Sequence, residues 1–471
     1  MLRLSAASLL ILFIGLLLLP EFPLYSQIRS SRNSIRVPVY KSIKDSVILH
    51  EIGKEISHLR NTTTAGMKKL DSLTFVYERL YKEVITGYRN IYFSSQDHIS
   101  LDSLRRMNDF TSVTKVSIDD PHARVLPSEI YRCSNLESLE LINTAISQLP
   151  EELNALNKVR VVRIYNPKTK RRIKLRENHH VSTLIIRGDN PRPLPRSFRP
   201  FYGLENLDLS GNSLKRFPKG ARHNKKLRVL NLQNNQLTLK QKLRKHRYLE
   251  TLALQHNEIR RVPKSIQAFP NLKKLSFNYN QITTVHPAIQ RLSKIEHLSF
   301  YRNELTAIPS GVYEMKALRE IDLFYNKIET IESRISQWEN LTRLYLSHNK
   351  ILSLPDQIGQ LTSLEGLYAW DNLLDTLPEA LGKIKTLRFL WVNNNNLQRL
   401  PGSLFDLENI EELDLSHNFL TSIPEAVFNF KRLKILSLID NPWDKQTLQF
   451  IPRRATELRA NNVFVHIPDI D

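Results

Sequence analysis

Leu341-x-x-Leu344-x-Leu346-x-x-Asn349-x-Ile351-x-x-Leu354-Pro355-x-x-Ile358-x-x-Leu361 is the phrase that decides how this chain folds. Its asparagine returns at 212, 235, 257, 280, 303, 326, 349, 372, 395, 418 and 441, at intervals of 23 residues with one of 22. A period between about 20 and 50 residues is the mark of a stacked array, in which one short unit is laid on the next. The same register places first-leucine positions at Val113, Leu136, Val159, Val181, Leu204, Leu227, Leu249, Leu272, Ile295, Leu318, Leu341, Leu364, Leu387, Ile410 and Leu433. The first four of these fifteen units carry Pro121, Thr144, Pro167 and Asp189 where the others carry asparagine.

One unit reads as one coil. The alternating leucines make a short strand with one face inward, and strands of successive coils can pair in parallel about 4.8 Å apart. The asparagine stands where strand gives way to return path. Its amide has two donors and an acceptor, enough to satisfy backbone groups of its own coil and of a neighbour. A buried amide left unpaired costs about 1–3 kcal/mol, so the column should hold or fail together. Pro218, Pro263, Pro309, Pro355, Pro378, Pro401 and Pro424 recur at the turn. Proline there fixes φ and forfeits a donor where the chain leaves the core. Ile358 and Leu361 are spaced for one short helical or 3₁₀ turn on the outer face. The first four coils keep the apolar frame, as in Leu136, Leu139, Leu141, Ile146 and Leu149, but without asparagine looser hydrogen bonding is expected.

These units resemble the 23-residue Leu-Pro class of leucine-rich repeat, over residues 113–443 or about 70% of the chain. The resemblance is specific for fold and weakly specific for function. It implies an α/β solenoid, a right-handed coil of about 15 units bent into a horseshoe. A parallel sheet would line the concave side, where this family usually binds protein partners. The class occurs in intracellular Ras-scaffold and cell-polarity proteins and in many bacterial proteins. Extracellular animal members commonly carry cysteine-rich caps, and this chain has one cysteine, Cys133. An exported bacterial member is therefore the expected context.

The flanks read differently. Arg3 precedes an apolar run at residues 9–19 that Pro20 ends, and Leu24-Tyr25-Ser26 offers a polar exit. This matches a secretory signal peptide over 1–26, cleaved near Ser26, for export to periplasm, envelope or medium. Even counted from Leu4 to Leu19 the run is shorter than the ~20 residues of a spanning helix, which disfavours an uncleaved anchor. Residues 27–112 show apolar stripes of helical spacing at 41–59, 68–88 and 101–107, of which Leu70, Leu73, Tyr77, Leu80, Tyr81, Val84 and Tyr88 are the clearest. A helical cap on the first coil is expected, with a separate helical binding module as the alternative. Trp443 and residues 444–471 should close the other end.

No catalytic constellation emerges. The chain lacks a phosphate-cradling Gly-x-x-x-x-Gly-Lys-Ser/Thr, and His50-Glu51 lacks the second histidine of a zinc-protease helix. His179 and His180 are adjacent, so on a strand they face opposite sides and cannot share a metal. Cys133 sits where later units bury Leu361 or Leu407, which makes it a structural thiol. Neither enzyme activity, a cofactor nor a metal is expected.

The register also identifies the side chains that can touch a partner. Positions three, five, seven and eight of each phrase face the concave solvent side. The fifth position supplies Tyr345, Tyr368 and Trp391 in adjacent units, and the seventh supplies Tyr301, Phe324 and Trp370. Tyr279 and Tyr325 occupy the eighth and Phe389 a third. Nine aromatics thus converge on six consecutive strands, where other units carry small polar residues such as Asp208, Asn231 and Ser437. Aromatics favour strands in any case, but a contiguous exposed patch is uncommon on a monomer, and interface hot spots favour Tyr and Trp.

Charge is uneven as well. Residues 158–274 hold 30 Lys/Arg against six Asp/Glu, a net of +24 in a chain of net +21, so the remainder is −3. Lys168, Lys170, Arg171, Arg172, Lys174, Arg244, Lys245, Arg260 and Arg261 fall mainly on turns and the outer face. They are either a solvated face or a docking zone for an anionic membrane or acidic glycan. Nucleic acid is disfavoured, since no such motif and no aromatic stacking array accompanies them. The favoured function is a non-enzymatic protein-recognition module. Glycan or anionic-surface attachment is the alternative, and an intracellular signalling scaffold follows if the N-terminus is not a signal.

Overall fold

The computed structural model describes residues 36–40, 85–94, 110–190 and 192–468. It divides into two compact units, Met1–Tyr92 with Met107–Thr114, and Phe93–Arg106 with Lys115–Asp471. In the first, Arg36–Tyr40 pairs antiparallel with residues 85–91 of the strand Ile85–Ser94, setting Val37 opposite Asn90 and Val39 opposite Gly87. The end of the stripe read as helix up to Tyr88 is therefore strand. Residues 85–94 concentrate isoleucine, threonine and aromatics, which suit a pleated surface better than a helix. The expected signal at 1–26, the stripes at 41–59 and 101–107, and the rest of that at 68–88 lie outside the described residues.

In the second unit sixteen parallel strands follow one another in chain order. Fifteen of them begin two residues after the expected first-leucine positions, from Lys115–Asp119 to Ile435–Ser437. The apolar positions are fully buried, as at Leu341, Leu344, Leu346, Ile351, Ile358 and Leu361. The fold is the expected leucine-rich-repeat solenoid, with a horseshoe-like stack of coils behind one long sheet.

The asparagine column works as its chemistry requires. Asn349 Nδ2 donates to Leu346 O of its own coil at 2.8 Å and to Leu323 O of the preceding coil at 2.9 Å. Its Oδ1 accepts from Ile328 N of the preceding coil at 2.9 Å. Asn303, Asn326, Asn372, Asn395 and Asn418 repeat the arrangement. The first four coils depart from expectation. Their strands span five residues, as in Ser138–Ile142 and Val161–Tyr165, against three in the later coils. Backbone pairing there is longer, because Ile118, Leu141, Ile164 and Ile186 carry the strand on to two residues before the asparagine position.

Proline caps the outer turns. Pro355 sits at φ −73° and ψ 150°, ahead of the 3₁₀ turn Asp356–Gln360. Pro218, Pro263, Pro309, Pro378, Pro401 and Pro424 do the same for their coils. Cys133 is fully buried, and burial pushes its thiol up to about 11, so it is inert as a nucleophile. At the far end Trp443 is buried, with Nε1 donating to Leu438 O at 3.0 Å. Asp444 caps the helix Lys445–Ala460 by accepting from Thr447 N at 2.7 Å. Phe464–His466 then adds the sixteenth strand beside Ile435–Ser437.

Candidate functional site

Strand register brings the predicted aromatics together. Asp322 pairs with Tyr345, Tyr345 with Tyr368, and Tyr368 with Trp391. Side chains at matching positions of adjacent strands stand close enough to stack. Tyr345 and Tyr368 do so, with centroids 4.7 Å apart and planes within 11°. Trp391 meets Tyr368 edge-on at 5.3 Å, and Phe324 meets Tyr345 edge-on at 5.4 Å. Phe324 also reaches Trp370 at 6.0 Å and Tyr301 at 6.5 Å, while Tyr301 contacts Tyr279 and Tyr325 at 5.1 and 5.6 Å. Phe389 stands at the far edge, beneath the Arg388 guanidinium at 5.1 Å.

The expectation of nine exposed rings needs correction. Phe324, Tyr345 and Tyr368 are only 6%, 5% and 7% exposed. The concave side crowds neighbouring side chains together, so these three are covered by the rings beside them. Tyr279 is exposed, and Tyr301, Tyr325, Trp370, Phe389 and Trp391 are half-buried. The site is thus a self-packed aromatic floor with a rim of partly open rings. Gly366 permits this packing: without a β-carbon it lets the Tyr368 ring settle against its own strand.

A second column runs along position eight. The residue before each ladder asparagine takes a left-handed backbone, with φ of 51° at His256, 54° at Tyr279, 51° at Arg302, 53° at Tyr325 and 53° at His348. Asn234, Asp371, Asn394, His417 and Asp440 share that conformation, so it belongs to the fold and not to one site. In the middle coils the planar groups at this position stack on one another. His256 stacks on Tyr279 at 4.1 Å and Tyr325 on His348 at 3.9 Å, with planes within 14° and 16°. Arg302 lies between them, 5.5 Å from the Tyr279 ring and 4.7 Å from that of Tyr325, a cation–π sandwich. Counting Phe, Tyr and Trp alone missed His256, Arg302 and His348; their shared register with Tyr279 and Tyr325 was the available signal.

The electrostatics follow from crowding. Burial pushes the Asp322 carboxyl up to about 7, although it accepts from Ser299 Oγ at 2.8 Å and Phe324 N at 3.1 Å. Burial likewise raises the Tyr345 phenol and pushes that of Tyr368 up to about 12, keeping both neutral. Burial lowers His348 against the opposing pull of Asp371, to which its Nδ1 is joined. Trp391 Nε1 donates to Glu412 at 3.2 Å. Trp370 Nε1 and His348 Nε2, on rings 4.2 Å apart, have no hydrogen-bond partner among the described residues.

The basic residues do not join this site. Lys168, Lys170, Arg171, Arg172, Lys174, Arg244, Lys245, Arg260 and Arg261 are all exposed on the earlier coils, Lys174 and Arg261 each opening a two-residue strand. Arg172 donates to Leu194 O at 3.1 Å and Arg260 to Gln281 at 3.1 Å.

Comparison with known proteins agrees with the architecture. A leucine-rich-repeat family model matches residues 247–305, 270–328, 293–351 and 385–442. No curated protein matches the sequence. Among solved structures, a leucine-rich-repeat protein of Leptospira interrogans is similar at 22% identity and a TM-score of 0.50, over 80% of this chain and 99% of that one. Toll from Drosophila, in complex with Spätzle, is similar at 19% identity and a TM-score of 0.58, over 75% of this chain and 54% of that one. The plant peptide hormone receptor RGFR1, in complex with RGF2, gives 20% identity and a TM-score of 0.50, over 71% and 60%.

Proposed function

This chain is a leucine-rich-repeat protein, and on that premise we propose that it is a non-enzymatic recognition module that takes a protein partner on the aromatic floor of its strand face. The observation that carries this reading is continuity: rings from Tyr279 to Trp391 touch one another across six adjacent strands. Tyr and Trp offer large apolar area with little rotamer entropy to lose, which is why they dominate interface hot spots. Two polar groups without a partner among the described residues, Trp370 Nε1 and His348 Nε2, lie inside the same floor. Buried polar groups are nearly always satisfied, so such exceptions ask for a ligand or a function. Toll and RGFR1 hold Spätzle and RGF2 on the same kind of scaffold. Reading residues 1–26 as an export signal places the proposed encounter outside the cytoplasm, in a bacterial envelope or beyond it.

The test is capture of one defined protein from the envelope fraction of the source cell, compared between the native chain and Tyr368→Ala/Trp370→Ala/Trp391→Ala. Loss of that protein with the melting temperature kept within a few degrees supports the reading. Undiminished capture overturns it. Capture lost in high salt but indifferent to the triple substitution assigns the primary contact to the basic coils instead, as attachment to a glycan or anionic surface.

A further inference from the structure

One set of inward positions in the array is left open. In the coil of Asn349, Ile351 and Leu354 are 0% and 5% exposed. Their equivalents one phrase after Leu204 are Leu214 and Phe217, and both are only half-buried. They face a groove of about 410 Å³ whose floor continues through Leu194 and Leu209. The opening lies where the irregular coil after Val181 meets the first coil of the asparagine column. At Gly220 the two return paths are pressed together, since a β-carbon there would stand 2.5 Å from Arg196 O. Beside Leu214 and Phe217 they do not close.

The rim is entirely cationic. Arg172, Arg192, Arg196, Arg216 and Lys219 line the groove, and no carboxylate does. All five are exposed, and none has an ion pair among the described residues. Arg172 is anchored by its bond to Leu194 O. Five like charges around an apolar slot raise the local potential and repel one another until an anion arrives. Four are arginines, whose planar forks suit phosphate oxygens. The slot is at the small end of ligand sites, which run from about 300 to 1,000 Å³.

We propose that this groove binds an anionic phospholipid, with the phosphate among the guanidinium groups and the first carbons of the chain against Leu214 and Phe217. Charge complementarity selects an anion, and the apolar floor selects an amphiphile over a fully hydrated one. This site is separate from the aromatic floor, and it shares only Arg172 with the exposed basic residues of the turns. Membrane attachment through it would hold the chain at an anionic surface while leaving the strand face free.

The test is co-sedimentation of the full chain with phosphatidylcholine vesicles, with and without phosphatidylglycerol. The native chain should bind only the mixed vesicles. Arg192→Gln/Arg196→Gln/Arg216→Gln should weaken that binding more than about tenfold, since basic residues at an anionic membrane surface each add to the attraction. Arg244→Gln/Lys245→Gln/Arg261→Gln removes the same charge away from the groove and should weaken it less than about threefold. Phe217→Ala should lower vesicle binding while leaving retention on a polyanionic resin unchanged, with thermal melts confirming that each variant is folded. Equal losses in the two triple variants would overturn the site, as would binding to neutral vesicles or complete displacement by inorganic phosphate. Preference for an acidic peptide over the vesicles would also overturn it.

Discussion

The ring of Tyr368 occupies the space that a β-carbon on Gly366 would need, with Cε2 2.8 Å and the hydroxyl 3.1 Å from that position. The two residues lie two apart on one strand and share its solvent face. Tyr345 flanks the ring at 4.7 Å and Trp391 at 5.3 Å, so it has little room to move aside. Gly366→Ala should therefore tilt Tyr368 out of its stack and weaken partner binding about tenfold, a loss of roughly 1.4 kcal/mol. The melting temperature should change by only a few degrees, because the substituted position faces away from the core. Titration of the captured partner against the variant checks this, and unchanged affinity would show that the stack takes no part in recognition.

Asn349→Ala removes both donors and the acceptor that hold Leu346 O, Leu323 O and Ile328 N. Leaving these groups unsatisfied should destabilise the protein by about 2–4 kcal/mol. Each coil contacts only its neighbours, so the damage should be local. Hydrogen exchange should accelerate at residues 323–351 and remain near native in the coils around Asn418.

Asp322 gives stability a dependence on pH. Its folded value of about 7 exceeds the ordinary 3.8, so the folded state holds a proton that the unfolded chain releases between those values. Stability from this group is greatest at the acid end of that window and declines as pH rises through about 7. Asp322→Asn should remove the decline, leaving the variant at least as stable as the native chain at pH 8. Chemical denaturation at pH 5 and pH 8 measures the difference. An identical pH slope in both proteins would refute the assignment.

His246 acts in the opposite sense. It is 2% exposed at an inward position that Leu361 or Leu407 fills in later coils, and burial lowers its pKa below the usual 6.5. The unfolded chain therefore takes up a proton first as pH falls through about 6.5, and stability drops from there towards acid. His246→Leu should flatten that acid limb and raise the melting temperature at pH 5 more than at pH 8.

The coil architecture was legible before any coordinate because it follows from spacing. A leucine at Leu344 is buried in any array of this period, and an amide at Asn349 has only its own and adjacent backbone to bond. The same register led to Tyr345, Tyr368 and Trp391 as neighbours. It did not show that Phe324, Tyr345 and Tyr368 cover one another, since exposure depends on ring orientation and on how closely strand faces converge. Nor did aromatic counting include His256, Arg302 and His348, whose part in the floor comes from a left-handed backbone that aligns their planes.

The amino-acid sequence alone determined the period, the strand positions, the asparagine column and the identity of the side chains on the solvent face, because each is set by contacts within a coil or to the coil beside it. The tertiary structure decided which of those side chains remain open, and that Leu214 and Phe217 stand half-exposed among five cations. These outcomes depend on how tightly two return paths or two rings approach. That distance is fixed by packing summed over many neighbours, and no spacing along the chain encodes it.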